Sequence, residues 1–309
     1  INRNFYVFLC LKSSKSDKMI MLRKFHRLKV LSEVENMKKI AIVTGAASGM
    51  GKRFCFEIDK LGLDEIWGVA LRADDVEKMH EEIKTPFKFF DLDLTKEESF
   101  KVLEESLKTE GVVVEWLINA SGYAKFGRYD EISVSAQLGM IDLNCKALTH
   151  LTLIVLPFMQ AGGRIVEIAS MAAFQPTPYM AVYGASKAYV LSYARALNRE
   201  LKSKKISVTC LCPYWTKTAF FDRATKTNAK DAVITHFATM YDPTKVIKRA
   251  MKGATKRKEV VLYGFKSKAQ LPLVKLFPHS LVMSIWGWQQ KFKKKYKNNY
   301  SNNKPLKAQ

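Results

Sequence analysis

Three glycines separate a strand-like segment from a helical segment early in the chain. Residues 38–44 read KKIAIVT, an apolar run typical of a buried β-strand. Gly45, Gly49 and Gly51 follow it, and a helical pattern then continues to Leu61. Glycines at this spacing let the backbone approach a ligand closely, and the first turn of a helix offers N–H groups to a pyrophosphate. The sequence therefore predicts a phosphate-binding strand, turn and helix; the alternative is a purely structural turn.

The same alternation of strand-like and helical segments continues along the chain. The predicted strands are 38–44, 65–71, 87–92, 112–118, 164–169, 206–212 and 259–262. Strands that alternate with helices form a parallel sheet with right-handed connections and helices on both faces. The fold class is therefore predicted to be α/β: a Rossmann-like, doubly wound parallel sheet in three layers, forming a single domain with basic N- and C-terminal extensions.

Positive charge is concentrated at the ends of the chain. Lysine and arginine outnumber aspartate and glutamate by 51 to 29, and residues 266–309 contain ten lysines and no acidic residue. A nucleic-acid surface would place arginines and base-stacking aromatic residues on the folded body, so we expect no nucleic-acid partner. The five cysteines form no Cys-x-x-Cys pair and have no histidine at metal-ligand spacing, which predicts reduced thiols, no metal site and a cytoplasmic location.

Residues 1–36 fit poorly with the segments that follow. Their apolar run, 5–11, is too short to span a bilayer and is not followed by a small-residue cleavage site. Met37 stands directly before the first predicted strand. We interpret it as the natural start, which makes residues 1–36 a translated leader; the alternative is that they are a genuine disordered or surface-helical extension. The catalytic domain is then expected over 37–265.

The segment 266–309 is predicted to hold an amphipathic helix followed by a lysine-rich tail. Pro272 and Pro278 are expected to interrupt its first apolar run, which argues against a transmembrane helix there. A wide apolar face begins at His279 and precedes the lysines. This pattern fits a helix docked on the catalytic domain or on a second subunit, and it equally fits a peripheral contact of 279–297 with a membrane surface. Of the two, we favour docking.

Three side chains suited to proton transfer follow the fifth predicted strand. Ser170 ends that strand, and Tyr183 and Lys187 share one face of a segment that is helical in pattern from Tyr179 onward. A free tyrosine has a pKa near 10, and a lysine cation in a covered site lowers it. We predict that Ser170 holds a substrate oxygen while Tyr183 exchanges the proton. Asn144, on an otherwise apolar stripe, is either a satisfied core amide or part of a proton relay.

Polar side chains at the ends of the second to fourth predicted strands indicate a dinucleotide site. Arg72 stands where an acidic residue would bind a ribose 2′-hydroxyl; a guanidinium suits a 2′-phosphate, which favours NADP(H) over NAD(H). Asp93 is expected to accept from an adenine amino group; the alternative is that Asp93 and Thr95 cap the helix over 96–109, and both can hold together. Asn119 opens a small-residue turn beside the expected path of the cofactor.

Residues 214–240 are predicted to form the substrate lid. They are rich in aromatic residues, threonine and lysine without clean helical periodicity, as expected for a segment that closes over a site. The side chains expected to cover an apolar substrate are Phe220, Phe221, Phe237 and Met240. The alternative for each is ordinary core packing.

In order and spacing, these residues are similar to the short-chain dehydrogenase/reductase family in its soluble single-domain form of about 250 residues. The resemblance covers about 38–262. It is carried by 44–51 (TGAASGMG), 93–94 (DL), 119–122 (NASG), 183–187 (YGASK) and 213–218 (PYWTKT), together with Asn144 and Ser170.

The resemblance implies a catalytic tetrad of Asn144, Ser170, Tyr183 and Lys187. Tyr183 would be the general acid/base, Lys187 would hold the nicotinamide ribose, and Asn144 would hold a water that links Lys187 to solvent. The expected cofactor-binding residues are Gly45, Ser48, Gly49, Met50, Gly51, Arg72, Asp93, Leu94, Asn119, Tyr183, Lys187, Thr216 and Thr218. A homodimer or homotetramer is also implied.

The chain departs from the family pattern at two places. The turn 119–122 is Asn-Ala-Ser-Gly where the family usually has Asn-Asn-Ala-Gly, which puts a supporting contact in doubt. Pro213 is followed by Tyr214 where the family has glycine. Because a side chain disfavours positive φ, we expect a remodelled turn there.

The function predicted on these grounds is that of an NADP(H)-dependent oxidoreductase. It would interconvert a ketone and a secondary alcohol on an apolar, steroid-like or acyl substrate. The alternative is a nucleotide-binding regulatory or membrane-recruited protein whose chemistry is incidental.

Overall fold

The computed structural model describes most of the chain between the two extensions. The described residues are 37–71, 76–226, 234–237 and 239–292. The predictions made for residues 1–36, for Arg72, for 227–233 and 238 of the lid and for the tail from 293 onward lie outside these residues.

Seven parallel strands form one sheet. They are β1 (Lys39–Thr44), β2 (Glu65–Ala70), β3 (Phe87–Asp91), β4 (Val113–Asn119), β5 (Arg164–Ile168), β6 (Ser207–Leu211) and β7 (Val260–Val261). Their order in the sheet is β3-β2-β1-β4-β5-β6-β7. The first three strands are added toward one edge of the sheet and the last four toward the other, so the strand order reverses between β1 and β4. The predicted Rossmann-like α/β fold is confirmed, and the predicted strands agree within one residue at each end.

Ten α-helices connect or follow the strands among the described residues. They are α1 (Gly49–Ile58), α2 (Val76–Glu82), α3 (Glu97–Glu110), α4 (Val134–Ile141), α5 (Leu148–Val155), α6 (Ala181–Glu200), α7 (Phe220–Thr225), α8 (Pro243–Thr255), α9 (Phe265–Leu276) and α10 (His279–Gln289). A π-helical stretch, Asp142–Ala147, joins α4 to α5, and short 3-10 turns occupy Asp59–Leu61, Leu156–Phe158 and Met171–Phe174.

The sheet is buried on both faces. In β1, Ile40 and Ile42 point into the layer that contains α3, α5 and α6. Ala41 and Val43 point into the opposite layer, with α1, α2 and α8. Because successive side chains of a strand point to opposite faces, a continuous apolar run such as 40–43 requires helices on both sides. The three-layer architecture follows from that requirement.

Among the described residues, one continuous helical segment, Val134–Phe158, is long and apolar enough by length and composition to cross a membrane. It comprises α4, the π-helical stretch, α5 and the 3-10 turn Leu156–Phe158. Its Leu148, Leu151 and Val155 side chains pack on the sheet, so its apolar character is partly explained by core packing.

Helix α10 lies against the segment predicted to be the lid. Trp286 on α10 and Phe292 beyond it share a cluster with Phe126 and Tyr183. The expectation that Pro272 interrupts the helix is wrong, since α9 passes through it and ends before Pro278. Pro272 is exposed, so the backbone carbonyl that its ring leaves unpaired one turn earlier is open to solvent.

Candidate active site

The turn after β1 brings the first turn of α1 directly onto the backbone of Gly45. Gly45 and Gly49 have φ angles of +65° and +56°, which favour glycine. A Cβ at position 51 would lie 2.1 Å from the carbonyl oxygen of Gly45, so a side chain there would push the helix away. The free N–H groups at the start of α1 therefore sit close to the end of β1, as the phosphate-binding interpretation requires.

Thr44 ties this turn to the end of β4. Its Oγ1 accepts hydrogen bonds from the backbone N–H groups of Ala120 (3.0 Å) and Ser121 (2.9 Å). β1 and β4 are the strands between which the chain reverses, and ligands of such sheets bind beyond the carboxyl ends of these strands. Thr44 therefore holds the ends of β1 and β4 together at the place where a ligand would bind.

The predicted cofactor residues of α1 lie at its first turn. Ser48 is the N-cap residue, and its hydroxyl makes no capping hydrogen bond. Met50 lines the crevice. Arg53 donates from Nη1 to the carbonyl oxygen of Gly49 at 2.9 Å, which places a guanidinium beside the turn.

Asp93 forms a local turn after β3. Its Oδ1 accepts from the backbone N–H of Thr95 (2.9 Å) and from Thr95 Oγ1 (2.7 Å). The predicted helix cap is wrong in its detail, because Lys96 is the N-cap residue of α3. Leu94 is buried in the core. The adenine contact of Asp93 stays a prediction.

Asn119 turns its side chain into the sheet. Its Nδ2 donates to Glu167 Oε1 (3.0 Å) and to Thr152 Oγ1 (2.9 Å). The wall of the crevice at this place is formed instead by Ala120 and Gly122. Asn119 therefore does not line the crevice, and its side chain hydrogen-bonds residues inside the sheet.

Glu167 is a buried carboxyl that the sequence analysis missed. It lies on β5, is fully buried, and its Oε2 has no hydrogen-bond partner among the described residues. Burial raises the pKa of Glu167 to about 7, against the lowering effect of hydrogen bonds from Asn119 and Thr152. The sequence signal that could have revealed this buried carboxyl is a glutamate within an otherwise apolar strand pattern.

Asn144 lies in the π-helical stretch, and its amide is fully paired. Oδ1 accepts from the N–H of Tyr123 (3.1 Å), while Nδ2 donates to the carbonyl oxygen of Tyr123 (3.0 Å) and to Ser186 Oγ (3.1 Å). A Cβ at Gly122 would lie 2.8 Å from Asn144 Oδ1 and 3.6 Å from Lys187 Nζ. The geometry is thus that of a satisfied core amide near Lys187, and the proton relay stays a prediction.

Ser170, Tyr183 and Lys187 line one crevice, as the sequence predicts. Ser170 follows β5, its Oγ accepts from the N–H of Ala172 at 3.2 Å, and it lies near enough to the phenol of Tyr183 to lower that group's pKa. Lys187, one turn further along α6, donates from Nζ to the carbonyl oxygen of Ile168 at 2.7 Å. Its Nζ lies 5.9 Å from the centre of the Tyr183 ring.

The expected lowering of the pKa of Tyr183 is not found. Burial raises the pKa of Tyr183 to about 12, although the hydrogen bond from Ser170 opposes that rise. Burial also lowers the pKa of Lys187 to about 8. A buried site disfavours the charged form of both groups, and the ammonium of Lys187 is directed at the Ile168 carbonyl. Desolvation therefore outweighs the attraction on which the sequence argument relied.

An aromatic wall covers the other side of the crevice, whose cavity volume is about 110 Å³. Phe220 and Phe221 line it as predicted, and the Phe220 ring centre lies 5.8 Å from that of Tyr183. Phe237 packs behind them, edge-on to Trp215 at 5.1 Å. Met240 is half-buried. These contacts form a low-dielectric cover over the phenol.

The turn after β6 carries Tyr214, and its remodelling relative to the family stays a prediction. Tyr214 keeps a negative φ, and the segment that follows pairs with Tyr241, through a bridge at Thr216. Thr216 donates from Oγ1 to the carbonyl oxygen of Tyr214 at 2.9 Å. Both Thr216 and Thr218 line the crevice.

The C-terminal helices complete the wall, which the sequence analysis did not anticipate. Gln270, Trp286 and Gln289 line the crevice. Trp286 stacks on Trp215 with ring centres 6.3 Å apart, and its Nε1 donates to the carbonyl oxygen of Pro178 at 3.1 Å. The predicted docking of this segment on the domain is thus observed for α10.

Comparison with known proteins gives one matching family model and several relatives. The family model, described as short chain dehydrogenase, matches residues 39–229. An uncharacterized oxidoreductase of Staphylococcus epidermidis is 27% identical over 57% of this chain and 77% of its own length. Human 17-beta-hydroxysteroid dehydrogenase type 3 is 29% identical over 61% of this chain and 62% of its own length. Bovine very-long-chain 3-oxoacyl-CoA reductase is 29% identical over 58% and 59%, respectively.

Solved structures share the fold. A short-chain dehydrogenase from Sphingobium yanoikuyae in complex with NADPH superposes with a TM-score of 0.63 and 24% identity, over 88% of this chain and 98% of its own. A short chain dehydrogenase/reductase from Burkholderia phymatum in complex with NAD gives 0.66 and 20%, over 88% and 99%.

Proposed function

The chain belongs to the short-chain dehydrogenase family of oxidoreductases, and on that premise we propose that it interconverts a ketone and a secondary alcohol with a nicotinamide nucleotide. The observation that carries the proposal is the meeting of Ser170, Tyr183 and Lys187 at one crevice beneath an aromatic wall. A hydroxyl, a phenol and an ammonium at such a place are the groups that carbonyl reduction needs for its proton.

The residues around the β1 turn fit the nucleotide. The close approach of Gly51 to Gly45 and the N–H groups of α1 suit a pyrophosphate. When bound, the nucleotide supplies or accepts the hydride. Lys187 would hold its nicotinamide ribose, with Thr216 and Thr218 on the opposite wall of the crevice.

The proton path follows from the three side chains. Ser170 donates a hydrogen bond to the substrate oxygen and orients it toward Tyr183. Because the pKa of Tyr183 is about 12, the phenol is protonated at neutral pH, and protonated phenol is the form that donates to a carbonyl oxygen in reduction. Asn144 would act as a positioning residue for a water beside Lys187.

We favour NADP(H) over NAD(H) as the cofactor. In the sequence, Arg72 follows the second strand and supplies a guanidinium suited to a 2′-phosphate. Among the described residues, Arg53 places a guanidinium beside the α1 turn. Changing Arg72 to aspartate should reverse the ratio of kcat/KM for the two cofactors; an unchanged ratio would remove this assignment.

An apolar, steroid-like or acyl substrate fits the aromatic wall. Phe220, Phe221 and Trp286 present ring surfaces to the crevice. Aromatic surfaces bind flat or extended apolar groups that need few hydrogen bonds. The names of the human and bovine relatives point to the same substrate classes. A screen of ketones and secondary alcohols with both cofactors, followed at the nicotinamide absorbance band, tests the reaction directly; no turnover of any member would contradict it.

A homodimer or homotetramer would cover an exposed apolar stripe on the long helical segment. Val134, Leu138 and Ile141 stand at helical spacing on α4 and are exposed, as are Leu153 on α5 and Tyr189 on α6. Exposed apolar patches of this kind mark subunit contacts. Light scattering of Leu138→Glu should show a smaller particle than the unmodified protein.

The unpaired cysteines support a cytoplasmic location. Four cysteines among the described residues are free and buried: Cys55, Cys145, Cys210 and Cys212. Chains of reducing compartments keep such thiols unpaired.

A further inference from the structure

The outer surface of α9 and α10 exposes large apolar side chains. Seven of the sixteen large hydrophobic side chains that are exposed among the described residues lie here. They are Phe265, Leu273, Leu276, Phe277, Leu281, Ile285 and Trp288. Phe265, Leu276 and Trp288 are 83%, 78% and 80% exposed. Patches of this size on a soluble domain mark a site of interaction.

Helical geometry places these side chains on one face of each helix. At about 100° per residue, Phe265, Leu273 and Leu276 fall within roughly a quarter turn of α9, and Leu281, Ile285 and Trp288 do so on α10. Lys266, Lys268 and Lys275 flank the stripe of α9 on both sides. The pattern is an apolar face bordered by cations whose long side chains reach outward.

The inner faces of the same helices already have their partners. Trp286 packs on the lid and donates to Pro178. Gln290, just after α10, accepts from the N–H groups of Thr235 (3.3 Å) and His236 (3.1 Å) and donates to the carbonyl oxygen of His236 (3.0 Å). The outer side chains are therefore not needed to hold α10 in place.

We propose that the outer face of α9 and α10 docks on an anionic lipid surface. The charge of the segment selects this occupant: residues 266–309 hold ten lysines and no acidic residue. Anionic headgroups attract a segment of this charge. Two copies of the face bordered by Lys268 and Lys275 would repel each other if placed against one another. The apolar side chains enter the boundary between headgroups and acyl chains, and the lysines lie at headgroup level.

The docking would bring the rim of the crevice to the lipid surface. Gln270 and Gln289 line the crevice from α9 and α10, the helices that carry the outer face. An apolar ketone dissolved in the bilayer would then enter without crossing water. This consequence rests on the proposed function, whereas the docking itself does not.

The test is sedimentation of the full chain with vesicles of phosphatidylcholine that contain phosphatidylglycerol. The double variant Leu276→Ser, Trp288→Ser removes apolar area without changing charge and should weaken partitioning by at least about tenfold. Val102→Ser, an exposed apolar position on α3, is the matched control and should bind like the unmodified protein. Lys268→Gln with Lys275→Gln should weaken binding to these vesicles more than to phosphatidylcholine alone.

Three outcomes would overturn the proposal. The first is failure of the unmodified protein to sediment with the vesicles, and the second is sedimentation of the double variant to the same extent as the control. The third is a change in oligomeric state alone in the double variant, which would assign the face to a second copy. Ketone reduction is assayed separately without vesicles on a water-soluble ketone. A protein that binds vesicles but reduces no ketone keeps the docking and loses the proposed function.

Discussion

Lys187 donates a hydrogen bond from Nζ to the carbonyl oxygen of Ile168 at 2.7 Å, so the only buried ammonium among the described residues is fixed to the end of β5. Ser170 follows that strand by two residues. The hydroxyl and the ammonium on either side of Tyr183 are therefore both anchored to the same strand end, and a change in β5 moves both groups together.

Replacing Tyr183 by phenylalanine should lower kcat/KM for ketone reduction by a factor of about 10²–10⁴, because the proton donor is lost while the ring stays. Nucleotide binding, measured by tryptophan fluorescence, should be nearly unchanged. Tyr189→Phe, on the exposed side of α6, is the control and should keep its activity. Equal activity of the two variants would show that Tyr183 is not the proton donor.

The carboxyl of Glu167 should make stability fall as pH rises. Its pKa is about 7 in the folded protein against 4.5 for the free group, so the folded state holds the proton more tightly. The free energy of unfolding should then decrease between about pH 4.5 and 7, by roughly 3 kcal/mol.

Urea unfolding of Glu167→Gln at several pH values measures this effect. The variant cannot ionise, so the difference in unfolding free energy between it and the unmodified protein should change with pH over that window. Glu115→Gln, on the half-exposed side of β4, serves as the control. A difference that stays constant with pH would contradict the assignment.

Substitution of Trp286 by alanine should raise KM for an apolar ketone by about tenfold or more, because the aromatic wall loses its outermost ring. It should also reduce the free energy of unfolding by about 3 kcal/mol, the usual effect of removing a buried tryptophan. Trp288→Ala, two residues away and exposed, should change neither value in the absence of vesicles. Trp286→Phe keeps a ring and should recover most of the KM.

A methyl group at position 51 should abolish nucleotide binding. In Gly51→Ala the new Cβ would meet the Gly45 carbonyl oxygen at 2.1 Å, which displaces α1 from the turn. Gly111→Ala has a φ of +57° but no atom within 4 Å of the new Cβ. It should reduce stability by about 1–2 kcal/mol and leave binding intact. Calorimetric titration with NADPH distinguishes the two variants, and binding by Gly51→Ala would refute the close-approach argument.

The strands and the core of the site could be predicted from sequence because their signals are local. Apolar runs such as 40–43 specify strands buried on both faces, and the spacing of four between Tyr183 and Lys187 specifies a shared helical face. Neither inference needs knowledge of distant contacts. The confirmed sheet and the common crevice of these residues follow from such patterns.

The remaining features depend on tertiary contacts that no local pattern contains. Trp286 reaches the crevice only because α10 folds back over the lid, and Asn119 turns away from it because Glu167 and Thr152 offer partners inside the sheet. The pKa of Tyr183 rises because burial outweighs the lowering effect of Ser170. In each case, the residue type alone does not show how deeply the fold buries the side chain.

The π-helical stretch Asp142–Ala147 has a consequence for how this chain can vary. A π turn holds one more residue than an α turn, so the helix takes in an extra residue at this place. Deleting one residue there would restore a regular helix and leave α4 and α5 in nearly the same rotational phase, because the wide turn already absorbs the extra residue. Asn144 lies in that turn, so the deletion would redirect its amide and break its pairing with Tyr123. Insertions and deletions should therefore be excluded from this stretch even where its side chains are freely exchangeable.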